Sequence, residues 1–333
     1  MRVAVTGGAG FIGSHFIRLI LHDHPDDEVV NLDQLTYAGN LDNLRDVEGD
    51  PRYTFVKGDI CDPEVVDAVV GGADVVVNFA AETHVDRSIT GPQDFIRTDV
   101  LGTHVLLEAA RRHGSARYLQ VSTDEVYGSI DEGAFTEDDP LDPSSPYSAS
   151  KAGADLLVLA AAATFGLPVL VTRSSNNYGP NQYPEKLIPL FVTNALGEAP
   201  LPVYGDGLQV RDWIHVEDNC RAIDLVLRRG REGAVYNVGG GNERTNLDLT
   251  RRVLRLLGKS DDLMRFVDDR PGHDRRYALD CARLRALGWE PRIAFDEGLA
   301  ATVDWYAQNE WWWGKIKSGA WKDYYAAQYR GLA

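Results

Sequence analysis

The sequence predicts an α/β chain, a doubly wound parallel sheet with a smaller mixed α/β domain beside it. Two observations carry that expectation. Over the first half, near-continuous apolar runs of strand length alternate with stretches of helical period, the pattern of strands covered by helices on both faces. After Tyr178 this rhythm breaks into pieces punctuated by Gly and Pro, YGPNQYPEKLIP and LGEAPLPVYGDG, which marks a change of architecture.

Taken in order, the chain opens with the β-branched run RVAVT and turns through glycines. It continues with Phe11, Ile12, Phe16, Ile17, Leu19 and Ile20 at helical spacing, so strand, turn and helix follow one another. Further strands are expected at EVVNLD (28–33), YTFVKGD (53–59), DVVVNFAA (74–81), ARYLQVS (116–122) and LPVLVTR (167–173), with helices at 98–113 and 147–165. Residues 1–178 are expected to form the first domain, with about 212–245 returning to it. Residues 179–211 and about 246–333 form the second, discontinuous one. Neither a repeat nor a low-complexity linker separates them, so a shared cleft is expected to bind ligand.

Composition excludes several classes of function. The 34 basic residues face 50 acidic ones, a formal net charge of −16, the reverse of what a nucleic-acid binder carries. Cys61, Cys220 and Cys281 are odd in number and far apart, which suggests neither a disulfide framework nor a zinc site and fits a reducing cytoplasm. His22 and His24 form an HxH pair in an acidic loop, and no metal is expected there. No apolar run approaches ~18 residues, and the first strand begins at Arg2, so neither a membrane span nor a signal peptide is expected.

Gly7, Gly10 and Gly13 follow a strand and open a helix, the context in which glycines allow a tight turn, close approach of a pyrophosphate and close helix packing. Asp33, twenty residues beyond Gly13, can accept hydrogen bonds from both hydroxyls of an adenosine ribose and would repel a 2′-phosphate. Gln34 beside it adds no positive charge. A Rossmann-type NAD site, rather than one for NADP, is therefore expected. Asp59, ending the third strand, is a candidate for the adenine amino group; its alternative is to cap the next helix.

Tyr147 and Lys151 stand four apart in YSASK, so both point from one face of a helix start. An ammonium ~6 Å from a phenol lowers its pKa by about two units at an effective dielectric near 20, and a nicotinamide cation adds to that, which would let a tyrosinate take the proton of a sugar or alcohol hydroxyl. The same helix carries Leu156, Leu157, Val158 and Leu159 and then four alanines, apolar nearly all round. One face must pack on the sheet and the other, with the 98–113 helix, is expected to pack on a second subunit as a homodimer.

In STDEVYG two adjacent carboxylates, Asp124 and Glu125, follow an apolar strand. Ser122 and Glu125 have capping-box spacing, but Val126 to Ser129 do not continue a helical pattern. A division of labour fits better. Crowding raises one pKa, so one carboxyl can donate a proton while the other takes one.

With TGGAGFIG, NFAAETHVDRS and YSASK, the chain resembles the extended short-chain dehydrogenase/reductase family over essentially its full length. STDEVYG, LDQLTYAGNLDNL, SNNYGPNQYPEKLIP, RDWIHVEDN and DRPGHDRRYALD look like the dTDP-glucose 4,6-dehydratases within it. Sugar epimerases and GDP-mannose dehydratases share the first set of motifs without the Asp-Glu pair. The resemblance implies oxidation of a sugar C4 to NAD, removal of the C5 proton by Glu125, departure of the C6 hydroxyl with a proton from Asp124, and hydride return at C6. It implies that Thr123 assists Tyr147 at the C4 hydroxyl. It adds Phe11, Ile12, Thr36, Ile60, Ala80, Ala81 and Thr98 to the cofactor set. It places His84, Thr123, Asn176, Lys186 and Leu187 near the sugar and diphosphate, and Arg211, Asn246, Arg270, His273 and Tyr277 around the diphosphate and nucleoside. The rival role for Arg211 and Arg270 is ion pairing with the adjoining Asp212 and Asp269. Trp311, Trp312 and Trp313 are expected to pack rather than stack on sugar.

Overall fold

The computed structural model describes residues 1–329; Gly331 to Ala333, with Arg330, lie outside the described part of the expected second domain. The strands are β1 Arg2–Thr6, β2 Glu28–Asp33, β3 Tyr53–Lys57, β4 Val75–Asn78, β5 Arg117–Thr123, β6 Val169–Ser174, β7 Asn176–Tyr178, β8 Leu201–Tyr204, β9 Val210–His215, β10 Val235–Val238, β11 Glu243–Thr245 and β12 Met264–Val267. Seven of them make one sheet in the order β10-β6-β5-β4-β1-β2-β3, with every pairing parallel.

The chain winds outward from β1 to β3, then returns to β4 on the other side of β1. The order reverses between β1 and β4, and a ligand crevice opens beyond the carboxyl ends of strands at such a point.

Alternation along β1 feeds two cores. Val3 and Val5 pack with Phe16, Ile17 and Ile20 of the Phe11–Asp23 helix and with Ile223 and Val226 of the Val216–Arg229 helix. Ala4 faces the other way, toward Val66, Leu106 and Val158. The aliphatic sequence of the strands is thus explained by burial on both faces. Leu284 and Trp289, in the stretch expected to belong wholly to the second domain, join the first of these cores.

The remaining strands form a three-stranded sheet, β11-β9-β7, and a parallel pair, β12-β8. Helices Leu187–Leu196, Asn246–Leu256 and Phe295–Gln308 enclose a third core that includes Phe191, Trp213, Leu249, Tyr306 and Trp312. Trp312 is buried and donates its indole N–H to Asn43, Trp313 donates to the Tyr306 carbonyl, and Trp311 is half exposed.

The expected 98–113 helix has two parts, a π-helical stretch Ile96–Gly102 and an α-helix Thr103–His113. At Gly102 a Cβ would stand 2.4 Å from Ile60 Cδ1, so only glycine lets the wide turn lie against β3's exit loop. Among the described residues, no helix is long and apolar enough to cross a membrane. Five of the eleven large apolar residues exposed among them, Ile89, Ile96, Leu101, Leu156 and Phe165, sit on this stretch, the Val85–Thr90 helix and the Pro146–Phe165 helix.

Candidate active site

At the end of β1 the chain turns through Gly7, whose φ is +69° and whose absent Cβ would stand 2.5 Å from Ala80 N. A Cβ on Gly13 would stand 2.5 Å from the Gly7 carbonyl oxygen. Gly10 is the N-cap of the Phe11–Asp23 helix and offers no side-chain cap, so the first-turn N–H groups point free into the crevice, as a pyrophosphate requires. Asp33, at the end of β2, accepts from Ala9 N at 2.9 Å and Leu35 N at 2.8 Å. Burial pushes its pKa up, and those two bonds oppose the shift.

Gly7, Gly10, Phe11, Ile12, Gly13, Asp33, Thr36, Ile60, Ala80, Ala81, Thr98, Tyr147 and Lys151 line one cavity. Asp59 does not. Its carboxylate is taken up by Cys61 N and by Arg97, each at 2.8 Å. Nor does it cap the next helix, a task that falls to Asp62. Sequence reading missed Glu82, Gln182 and Tyr183 in the cavity wall, although all three lay inside the quoted motifs NFAAETHVDRS and SNNYGPNQYPEKLIP. The cradle without room for Cβ atoms and the uncapped helix suit a dinucleotide.

β5 delivers the carboxylates. A 3₁₀ turn, Asp124–Tyr127, follows it directly, with Thr123 as N-cap accepting from Glu125 N at 3.2 Å. Ser122 Oγ is buried without a partner, so the Ser122–Glu125 capping box is not formed. The turn is anchored from below. The Tyr127 hydroxyl donates to Asn237 Oδ1 and accepts from Arg173, both at 2.8 Å, and Arg173 pairs with the fully buried Asp155 at 2.9 Å. Gly128 follows with φ of +80°, where a Cβ would stand 2.4 Å from the Asp142 carbonyl oxygen.

Asp124 is buried, its Oδ1 accepting from Thr123 Oγ1 at 3.2 Å and its Oδ2 lacking a partner. Burial first, and the Glu125 charge second, hold its pKa well above the usual carboxylate range. Burial also raises Glu125, but Arg270, Lys186 and Arg211 pull it back. The two neighbours thus differ in what surrounds them.

Ser145 and Ser148 form a capping box, with Pro146 in the first turn, and this sets the start of the helix that carries Tyr147 and Lys151. The expected depression of the Tyr147 pKa is reversed in the protein without ligand. Burial, then the charges of Glu125, Asp99 and Asp124, push the phenol well above its ordinary value. Lys151 Nζ donates to the Val121 carbonyl oxygen at 2.9 Å, and burial remains the largest cause of the Tyr147 shift.

A second cavity adjoins the first. His84, Asn176, Lys186, Leu187, Arg211, Asn246, Arg270, His273 and Tyr277 line it, and Glu125, Asn176 and Lys186 line both. Thr123 faces the first. Arg211 donates to the carbonyls of Val210 and Asp274 and lies 4.2 Å over the Tyr277 ring. Asp212 is engaged by Asn242 N instead of by Arg211. Arg270 lies 3.5 Å from Asp86, while Asp269 takes His273 and Gln209.

Three cations, Lys186, Arg211 and Arg270, therefore converge inside a chain of strongly negative net charge. Their field shows on the histidines. Burial and then the Arg270 charge lower His273 to about 4; burial and then Lys186, Arg270 and Arg87 hold His84 low. Arg270 Nε, Asn176 Oδ1 and Asn246 Oδ1 are buried polar atoms without partners. Guanidinium forks with such neighbours suit a diphosphate. Tyr204 and Trp213 also line this cavity, and nothing in their spacing announced it. Outside the site, His22 and His24 bond different carboxylates, Asp23 and Asp224.

Comparison with known proteins gives a consistent result. Residues 4–302 match the family described as GDP-mannose 4,6 dehydratase. The low-salt glycan biosynthesis protein Agl12 of Haloferax volcanii is 58% identical over 93% of this chain and 100% of its own. A dTDP-glucose 4,6-dehydratase of Streptomyces niveus is 55% identical over 96% of each chain. The crystal structure of DesIV, a dTDP-glucose 4,6-dehydratase of Streptomyces venezuelae with NAD and TDP bound, superposes with a TM-score of 0.94 at 55% identity, covering 95% of this chain and 100% of that one. A UDP-glucose 4-epimerase of Thermus thermophilus in complex with NAD stands further off, at 33% identity and a TM-score of 0.86 over 93% of this chain and 100% of that one. On this match, and on the glycine cradle and Tyr-Lys helix that line one cavity at the end of a parallel sheet, the chain belongs to the GDP-mannose 4,6 dehydratase family of the extended short-chain dehydrogenase/reductases.

Proposed function

We infer that this chain is an NAD-dependent lyase converting dTDP-glucose to dTDP-4-keto-6-deoxyglucose. One observation carries the reading over its rival, a 4-epimerase: Asp124 and Glu125 stand side by side in the wall of the cofactor cavity, and Glu125 also lines the second. Epimerisation at C4 has no use for that pair, and a binding protein that only sensed NAD would have none either.

The residues support the following roles. Lys186, Arg211 and Arg270 hold the diphosphate, with Asn246, His273 and Tyr277 beside it, and the sugar reaches past His84, Asn176 and Leu187 to the shared wall. Asp33 takes the adenosine ribose, and the glycines and free helix N–H groups take the pyrophosphate. The chemistry that NAD supplies when bound is hydride acceptance from C4, a positive ring near Tyr147, and hydride return at C6.

Tyr147 receives the C4 hydroxyl proton, with Thr123 orienting that hydroxyl. Because the phenol holds its own proton in the ligand-free chain, this step needs positive charge beside it, and Lys151 is the chain's own source. Oxidation makes the C5 proton acidic, since its removal gives an enolate. Glu125, whose charge three cations favour, takes that proton and gives it back to C5 when the hydride returns at C6. Asp124, kept protonated by burial and by Glu125, gives its proton to the C6 hydroxyl as water leaves.

The test is to incubate the protein with dTDP-glucose and follow the base-labile chromophore of the 4-keto product, then repeat with UDP-, CDP- and GDP-hexoses. A galactose-configured product alone sinks the dehydratase reading. We further propose that the chain works as a homodimer, joined through the exposed Ile96, Leu101, Leu156 and Phe165. Its three cysteines are free, as a cytoplasmic setting allows. The expected bounds shift, because β7 and β11, assigned by sequence to the first domain, join β9 in a sheet separate from the seven-stranded one; we place the substrate domain at β7, β8, β9, β11, β12 and the helices around the third core.

A further inference from the structure

Arg87 lines neither cavity, yet three other parts of the chain meet on its guanidinium. Its Cζ lies over the Tyr37 ring, 3.9 Å from the ring centre, and over the Tyr324 ring, 4.2 Å from that one. Its Nε donates to Glu185 Oε2 at 2.8 Å, and the Glu185 side chain is only 2% exposed. The Tyr37 hydroxyl reaches Glu185 Oε1 at 2.8 Å and the Thr83 carbonyl at 3.0 Å. On the far side, the Tyr324 hydroxyl meets His84 Nδ1 at 3.2 Å.

Each partner belongs to a wall. Tyr37 sits in the loop whose Gln34, Thr36, Ala38 and Gly39 line the cofactor cavity. Thr83 and His84 stand on either side of the division between the cavities, and Glu185 precedes Lys186, which lines both. Tyr324 belongs to the Ala320–Gln328 helix, and Tyr329 just beyond it lines the second cavity. A cation between two aromatic faces holds both rings at a fixed spacing, and the buried carboxylate locks the cation in place.

We propose that Arg87 is a positioning residue. It fastens the 34–39 loop to the C-terminal helix and so keeps both cavities closed over their ligands as one unit. For the reaction inferred above, on which only the cofactor part of this proposal rests, that coupling has a use. A hydride taken from C4 must come back at C6 from the same cofactor, so the cofactor must not leave while the sugar is an intermediate.

The experiment uses the full chain with Arg87→Met and Glu185→Gln combined, so that no buried carboxylate loses its cation, beside Tyr324→Phe and Tyr324→Leu. Amide deuterium uptake is read in peptides covering 34–39 and 320–328 without ligand, and the rate of NAD release is read on dilution of the holoprotein. The double variant should raise uptake in both segments together and speed NAD release at least tenfold. Tyr324→Leu should loosen both segments, whereas Tyr324→Phe, which keeps the ring face, should match the wild type. A folded double variant with unchanged uptake, or with only one segment loosened, overturns the coupling. Loosening of both segments with unchanged NAD release overturns the role in retention. A wild-type chain that binds no NAD refutes the cofactor reading and the retention role with it, while the uptake data still decide the coupling.

Discussion

The Lys151 ammonium donates to the carbonyl oxygen of Val121 across 2.9 Å, fastening the helix that bears Tyr147 to the strand that delivers Asp124 and Glu125. It thus holds two elements of the candidate site in register. The phenol on that helix is held well above its ordinary pKa by burial first, and then by the neighbouring carboxylates.

Tyr147 should consequently stay a neutral phenol in the ligand-free protein. An ultraviolet difference titration of wild type against Tyr147→Phe should show no ionisation assignable to this residue below pH ~10. A tyrosinate band near neutral pH before ligand is added would contradict the assignment.

The carboxylates should separate kinetically. Glu125→Gln should slow C5 deuterium exchange and dehydration by ~10²–10⁴-fold while C4 oxidation remains measurable as reduced cofactor. Asp124→Asn should slow loss of the C6 hydroxyl more than C5 exchange. Equal effects on the two steps would mean that the roles are not divided as drawn.

Asp99, in the π-helical stretch, predicts a pH dependence of stability. Burial raises its pKa from 3.8 to about 6, opposed by Lys151, Ser150 and the N–H of Glu82. A folded-state pKa above the unfolded one contributes stability that is full below pH ~4 and is lost as the pH climbs through about 6. Asp99→Asn, which keeps an acceptor for Glu82 N, should therefore stabilise the chain at pH 8 by up to ~3 kcal/mol, with the gap closing near pH 4. Thermal melts across that range check it; a variant less stable than wild type at pH 8 would show that the charge itself is needed.

The proposed dimer turns on Leu156, whose side chain is 58% exposed on the Pro146–Phe165 helix. Leu156→Arg should leave the subunit folded and convert dimers to monomers in sedimentation equilibrium. Dimers that survive the substitution would place the interface elsewhere.

Much of the fold and site was legible in the sequence because it depends on local chemistry. Gly7 and Gly13 are glycines because no Cβ fits, and the apolar strands are apolar because both faces of the sheet are covered. Other features depend on what folding brings alongside. Asp59 had the right position at a strand end, but Arg97, from a helix start 38 residues away, captured its carboxylate. The sign of the Tyr147 shift escaped because it is set first by burial, and then by Glu125 and by Asp99 from a π-helical stretch that no periodicity signals. Tyr204 and Trp213 enter the second cavity from the two small sheets, whose short strands carry no strong pattern.

Glu125, Asn176 and Lys186 belong to both cavities, so the two chambers share a doorway. A sugar that must stand in that doorway is located by whatever is gripped at the far end. In the proposed reaction the nucleoside diphosphate works as a ruler: its length decides which carbon comes to rest against the carboxylates. Free glucose, having no handle for Arg211 and Arg270 to seize, would find no stopping point. A nucleotide sugar with a longer linkage would overshoot it.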